Sequence, residues 1–244
     1  MLASNALAAM RALPTADAAQ IAGGRPVLVL APHPDDEVLG CGGLCLSLAA
    51  AGIAPAILFL TDGTGSHPNS RAWPAPRLRD LREAEARTAA GLLGVRPDRV
   101  GFLRRRDTAA PTEGPAFECT VAAVAAACTE WDCATICAPW RCDPHCDHLA
   151  AHLIAAQAAA RIGVRHLAYP VWGWTLAPGT ELGALDIAGA RLELGASTAI
   201  KRQALQAHAS QFGQVIDDDP GGFCLDGATL ELMLHPFEVF LDPP

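Results

Sequence analysis

Two short segments carry the residue types that can hold a metal ion and move protons: His33-Pro34-Asp35-Asp36-Glu37 and His145-Cys146-Asp147-His148. A catalytic zinc needs three protein ligands and one open position, and two imidazoles with one carboxylate are an established set. His33, Asp36 and His148 can supply it. In a turn after a strand, residues three apart can face one point, so His33 and Asp36 can bind together while Asp35 points elsewhere, free to act as a base. Zinc lowers the pKa of its bound water to about 7 and polarises a carbonyl. A nearby carboxylate, here Asp35, takes a proton as water attacks an acyl carbon and passes it to the departing amine. His145 can line the same cavity and donate to an oxyanion or protonate the leaving amine, with its tautomer set by Asp107 or Asp143. A lone histidine or an Asp-Asp pair is ordinarily a core residue, a turn or a helix cap; the two segments gain weight by standing where one architecture would bring them together.

That architecture is legible in the hydrophobic pattern. The run 26–31 is continuously apolar, as a strand buried on both faces requires, and leads straight into His33. A helix over 37–51 and a strand over 56–60 complete a βαβ unit. A helix over 77–93 closed by Gly94, a strand over 99–103, an alanine-rich helix over 117–129 and a strand over 133–138 follow. Helix resumes after His148, a fifth strand spans 164–168, a peripheral hairpin 185–194, and a late helix 200–211. The alternation predicts an α/β fold: a Rossmann-like, doubly wound, mostly parallel sheet with helices on both faces, whose ligands bind at the carboxyl ends of the strands. Both histidine segments fall on that edge. Residues 1–24 are read as an N-terminal extension with room for one helix, and 25–244 as a single domain.

The 244 residues are 51% hydrophobic, enough for one buried core, and the formal charge of -8 leaves no basic footprint for nucleic acid. A small-molecule or glycoconjugate substrate is expected instead. No apolar run approaches the roughly 18 residues that cross a bilayer, and Arg11 and Pro14 interrupt the first stretch, so a cytoplasmic protein is expected. The nine cysteines do not form a disulfide pattern. Cys133, Cys137, Cys142 and Cys146 lack the paired Cys-x-x-Cys spacing of a structural zinc knot, and Cys133 and Cys137 read as part of a buried strand. A dinucleotide fingerprint fails as well: after Gly40-x-Gly42, position 45 is Cys45 where glycine or alanine is needed, and the stretch lies inside a helix.

The segment Ala31-Pro32-His33-Pro34-Asp35-Asp36-Glu37 with Gly40 and Gly42-Gly43, and the later His145-x-x-His148, resemble the LmbE-like or PIG-L de-N-acetylases. Arg82-x-x-Glu85 with Leu93-Gly94, Asp107, Trp172, and Lys201 through Gln211 look like further landmarks, so the resemblance covers 25–212. It implies a zinc-dependent removal of an acetyl group from N-acetylglucosamine units, using one Zn2+ on His33, Asp36 and His148. Asp35 becomes the general base and His145 the oxyanion stabiliser or acid. Arg82 and Asp107 would contact sugar hydroxyls; the alternative for Arg82 is an ordinary i,i+3 ion pair with Glu85. His208, Trp172 and Trp174 either meet the sugar or fill core. The sequence departs from the family pattern at Pro32 and at Cys146, which places a soft thiol near the metal. The same machinery suits another acyl amide or thiol conjugate, and a saccharide-binding relic is the non-enzymatic alternative. Specificity is expected from the loops 63–76, 104–115 and 170–182.

Overall fold

Every side chain of β1 (Val27–Ala31) is buried, and those of β2 (Ala56–Thr61) and β4 (Thr135–Pro139) are as well. Strands read as unbroken apolar runs because both of their faces are covered. The computed structural model describes residues 1–242. The remaining strands are β3 (Val100–Arg105), β5 (Arg165–Tyr169), β6 (Gly189–Glu193) and β7 (Phe237–Leu241). Together they form one sheet of order β3-β2-β1-β4-β5-β7-β6. The first five strands pair in parallel, while β7 is antiparallel to both β5 and β6.

Helices α3 (Asp36–Ala50), α4 (Ala75–Leu92) and α7 (Ser197–Gln206) cover one face, and α5 (Gly114–Glu130) and α6 (Cys146–Ile162) the other. The division follows the two-residue period of a strand. Val27, Val29 and Ala31 join a core with Cys41, Leu44 and Leu48 of α3, whereas Leu28 and Leu30 join one with Val121 of α5 and Ile154 of α6.

The first five strands and the helices between them match the sequence reading; the periphery differs. The stretch 185–194 is not a hairpin. Only β6 forms there, and its partner is β7, more than forty residues later, a pairing that local alternation cannot name. The late helix begins three residues earlier than expected and gives way to a 3-10 turn over Ala209–Phe212. A short α8 (Gly227–Met233) precedes β7. Residues 1–24 fold as α1 (Ala3–Ala12) and α2 (Ala18–Ala22). Ala6, Leu7, Met10 and Leu13 share a third apolar cluster with Trp140, Trp174, Val239 and Leu241, so this segment is packed on the body and is not an appendage.

Candidate metal centre and active site

β1 and β4 are neighbours, and the chain leaves them in opposite directions, into α3 on one face and α6 on the other. This is the topological switch point, where an open α/β sheet leaves a crevice outside its strand ends. His33 to Glu37 follow β1 and enter the first turn of α3; His145 caps the N-terminus of α6, with Asp147 and His148 in its first turn.

The three expected ligands meet. His33 Nδ1 lies 3.1 Å from Asp36 Oδ2 and His148 Nε2 lies 3.2 Å from the same oxygen. His148 Nε2 is buried and makes no hydrogen bond. The outer nitrogens of both rings are engaged by carboxylates: His148 Nδ1 is 2.9 Å from Asp143 Oδ2, and His33 Nε2 is 3.0 Å from Asp147 Oδ2 and 3.2 Å from Asp107 Oδ1. Imidazoles that bind metal through one nitrogen ordinarily donate the other N–H to a carboxylate or carbonyl, which fixes the tautomer and ring orientation. The carboxylates are fixed in turn. Asp143 accepts from the amides of Val171 (3.0 Å), Trp172 (3.0 Å) and Gly173 (2.7 Å), and Asp147 from those of Thr108 (2.7 Å) and Ala110 (3.0 Å).

Charge favours the same conclusion. Asp35, Asp36, Glu37, Asp107, Asp143 and Asp147 are all buried. Among the described residues, the only arginine or lysine within ion-pair range of this group is Arg82. Buried charge without compensation is costly, and a divalent cation would offset it. The donor set of two imidazoles and a carboxylate, the orphaned His148 Nε2 and the surplus of buried acid fit a divalent metal. His33, Asp107 and Asp147 also come within 4.8 Å of one another. So do His33, His145 and His148. Asp147 accepts from two amides and Asp107 from Gly65 N at 2.8 Å, and Asp36 Oδ2 likewise accepts from His33 N at 2.9 Å while standing between the two imidazoles.

The protonation states follow from the surroundings. Burial lowers the His33 and His148 imidazoles, yet the carboxylates around them prevail, raising His33 well above its usual value and His148 to about 9. Burial acts to raise Asp36, and the two histidines overcome it, holding the carboxyl far below the ordinary range. Asp35 goes the other way: burial pushes it up to about 7 against the pull of Arg82.

Asp35 occupies φ 140°, a region side chains rarely adopt. Its N–H donates to Glu37 Oε2 at 2.8 Å, and its carbonyl accepts from Val38 and Leu39 at 3.0 Å each. Arg82 braces the same turn, donating to Pro34 O at 2.6 Å and to Gly63 O at 2.7 Å, with its guanidinium 3.6 Å from Asp35 Oδ2. The alternative reading of Arg82, an ion pair with Glu85, is not what the structure shows. Glu85 instead accepts from Ser210 N and Oγ at 2.8 and 2.6 Å.

His145 keeps its place beside the ligands, its ring centroid 4.7 Å from that of His33. Neither Asp107 nor Asp143 orients it: Asp107 faces His33 and Asp143 faces His148. Its Nδ1 accepts from Asp147 N at 3.2 Å instead. Burial and the neighbouring histidines lower its pKa, so the ring is neutral with the proton on Nε2, a donor by construction.

Above these groups opens a cavity of about 360 Å³, lined by His33, Asp35, Asp36, Arg82, Asp107 and His145 and by residues of the surrounding loops. Gly65 and Ser66, Asp107 and Thr108, and Trp172 come from the three loops named as specificity loops, and Gln211 closes the stretch from Lys201 that looked like a family landmark; Phe223 and Leu225 come from a stretch that the sequence did not single out. Trp174 turns into the core against His235. His208 is also core, its Nε2 2.8 Å from Glu37 Oε1. No group of three metal-donor side chains among the described residues contains Cys133, Cys137 or Cys142; Cys146 alone joins one, with His145 and Asp147.

The family model described as PIG-L: GlcNAc-PI de-N-acetylase matches residues 28–159. A comparison with curated proteins gives no match. Among solved structures, the chain is similar to N,N'-diacetylchitobiose deacetylase from Pyrococcus horikoshii at 22% identity, covering 85% of this chain and 75% of that one with a TM-score of 0.61. It is similar to the conserved protein TT1542 from Thermus thermophilus at 24% identity, over 89% and 94% of the two chains with a TM-score of 0.65. GalB, the 4-carboxy-2-hydroxymuconate hydratase from Pseudomonas putida KT2440, also matches, at 20% identity over 77% and 80% with a TM-score of 0.60. At these identities the likeness is one of fold.

Proposed function

The chain belongs to the PIG-L family, and on that premise we propose that it is a zinc-dependent hydrolase that removes the N-acetyl group of an N-acetylglucosamine-type sugar or glycoconjugate. The observation that carries the reading is the convergence of His33 Nδ1 and His148 Nε2 on Asp36 Oδ2, with the outer nitrogen of each ring at a buried carboxylate. These three residues would hold one zinc ion, which supplies Lewis acidity and a water of lowered pKa.

The chain's own groups supply the rest. Asp35 lies in the cavity wall beside Asp36, where it can take a proton from water and return it to the departing amine. Its backbone is held by Glu37 and by the Arg82-braced turn, and its carboxylate stands 3.6 Å from the Arg82 guanidinium in the cavity wall. The Nε2–H of His145 is available to an oxyanion, since Nδ1 is occupied by the Asp147 amide. Asp107 lines the cavity, with one oxygen held by Gly65 N, and suits a sugar hydroxyl. Arg82 also lines it, but both terminal nitrogens already serve protein carbonyls, so we assign it to positioning Asp35 and the 63–66 loop before any substrate contact.

The test is release of free amine from N-acetylglucosamine conjugates by chelator-treated protein, before and after one equivalent of zinc. Activity that returns with zinc supports the reading; zinc binding without amine release from any N-acylated sugar would leave a saccharide-binding relic.

A further inference from the structure

One flank of the cavity is apolar and built. Leu39 of α3 and Leu225 belong to the core cluster on one face of the sheet, and Trp172 and Phe223 pack against it while still lining the cavity. The two rings meet edge to face with centroids 5.9 Å apart. Each piece is fixed by its backbone: Trp172 N donates to Asp143 Oδ2 at 3.0 Å, Phe223 N to Ser66 O at 2.7 Å and Leu225 N to Gln211 O at 2.7 Å. The segment leading to Phe223 is tied down again where Asp218 accepts from Ser70 Oγ (2.6 Å), Arg71 N (2.8 Å) and Ala72 N (2.9 Å), and Asp219 from Asn69 N (2.9 Å).

An acetyl methyl offers such a wall a single carbon. Asp107 stands against His33 with Thr108 beside it after β3, at the other side of β1 from β5, which Trp172 follows. The two flanks are attached to different ligands, Asp107 to His33 and, through Asp143, Trp172 to His148. A scissile carbonyl at the ligand set would have these two sides of the cavity for its two substituents. The hydroxyls of a sugar match the polar flank, which leaves the apolar one to the acyl substituent.

Resting on the function proposed above, we propose that Leu39, Trp172, Phe223 and Leu225 form an acyl subsite, which admits N-acylated amino sugars whose acyl chain is longer than acetyl beside the N-acetyl ones. The amide C–N bond breaks, a C–O bond forms from water, a carboxylic acid leaves, and the water's proton ends on the free amine; no further reactant is needed.

The test compares N-acetyl-, N-butanoyl- and N-hexanoylglucosamine with the zinc-loaded protein, following both amine release and binding by calorimetry. Apolar burial predicts that kcat/KM, or the association constant, rises about fourfold for each added methylene until the wall is filled. Phe223→Ala is expected to flatten that slope. A flat or falling slope in the unmodified protein overturns the subsite, as does a slope that survives in Phe223→Ala. A gain that follows octyl glycosides of N-acetylglucosamine instead of the acyl chain also overturns it, because the wall then serves the aglycone. Binding that tightens with chain length while no amine is released supports the subsite and refutes only the deacylation on which it was built.

Discussion

Asp35 and Asp36 are adjacent in the sequence and opposite in character. Asp36 sits between two imidazoles that stabilise its charge, whereas burial dominates at Asp35 and leaves it protonatable near neutrality. Replacing Asp35 with Asn should therefore lower kcat by about 10² to 10⁴ while bound zinc, measured by elemental analysis, stays at the unmodified level. Asp143→Asn leaves the ligands in place but removes the carboxylate charge at His148 Nδ1, and zinc affinity measured by chelator competition should fall about 10- to 100-fold. Protonation gives a third expectation. The His148 pKa, raised to about 9, stabilises the folded metal-free chain below the unfolded imidazole value of about 6.5, and that contribution is lost as pH rises through about 9. Metal needs the unprotonated nitrogen, so at pH 7.5 zinc binding should release at least about one proton, read by calorimetry in buffers of different ionisation enthalpy. The proposed ligands and base could be picked out because His33, Asp35, Asp36, His145 and His148 stand at fixed spacings after apolar runs. The carboxylates that orient the imidazoles were not assigned correctly, since an aspartate in a turn looks the same whether it caps a helix or holds a ring, and only the fold brings Asp147 to His33.

At the scale of elements, α3 has to present its first turn to the metal. Midway along it, Lys201 Nζ donates to Leu39 O at 2.8 Å, while Glu238 accepts from Gly43 N at 2.7 Å and Leu44 N at 2.9 Å. Leu39 O and Gly43 N, one helical hydrogen-bond step apart, thus both meet a buried ion pair, Lys201 and Glu238, 2.7 Å apart. Gly40 permits the neighbouring approach of Tyr169, since a Cβ there would overlap the ring. Removing one partner strands a buried charge, so Lys201→Met should cost about 3–5 kcal/mol in chemical denaturation, and Lys201→Met with Glu238→Leu should recover much of it. The five parallel strands and their helices could be read from hydrophobic period. The Lys201–Glu238 pair could not, because Glu238 lies in β7, whose pairing with β5 and β6 is set by tertiary contact rather than by local pattern.

For the molecule as a whole, the N-terminal segment behaves as part of the domain. Deleting residues 1–24 would expose Trp140, Trp174, Val239 and Leu241, and should lower the thermal midpoint by several degrees, measured by calorimetry. The fold by itself does not choose the reaction, since a hydratase shares it at a TM-score of 0.60. What favours hydrolysis of an amide here is the set of groups at the switch point. Its most direct test is a zinc titration of chelator-treated protein, with bound metal and amine release from N-acetylglucosamine conjugates followed in the same samples. Activity is expected to rise in proportion to bound zinc, to saturate at one ion per chain, and to be absent with its metal in His148→Ala. Full activity in the metal-free protein, or an unchanged titration in His148→Ala, would contradict the proposed centre.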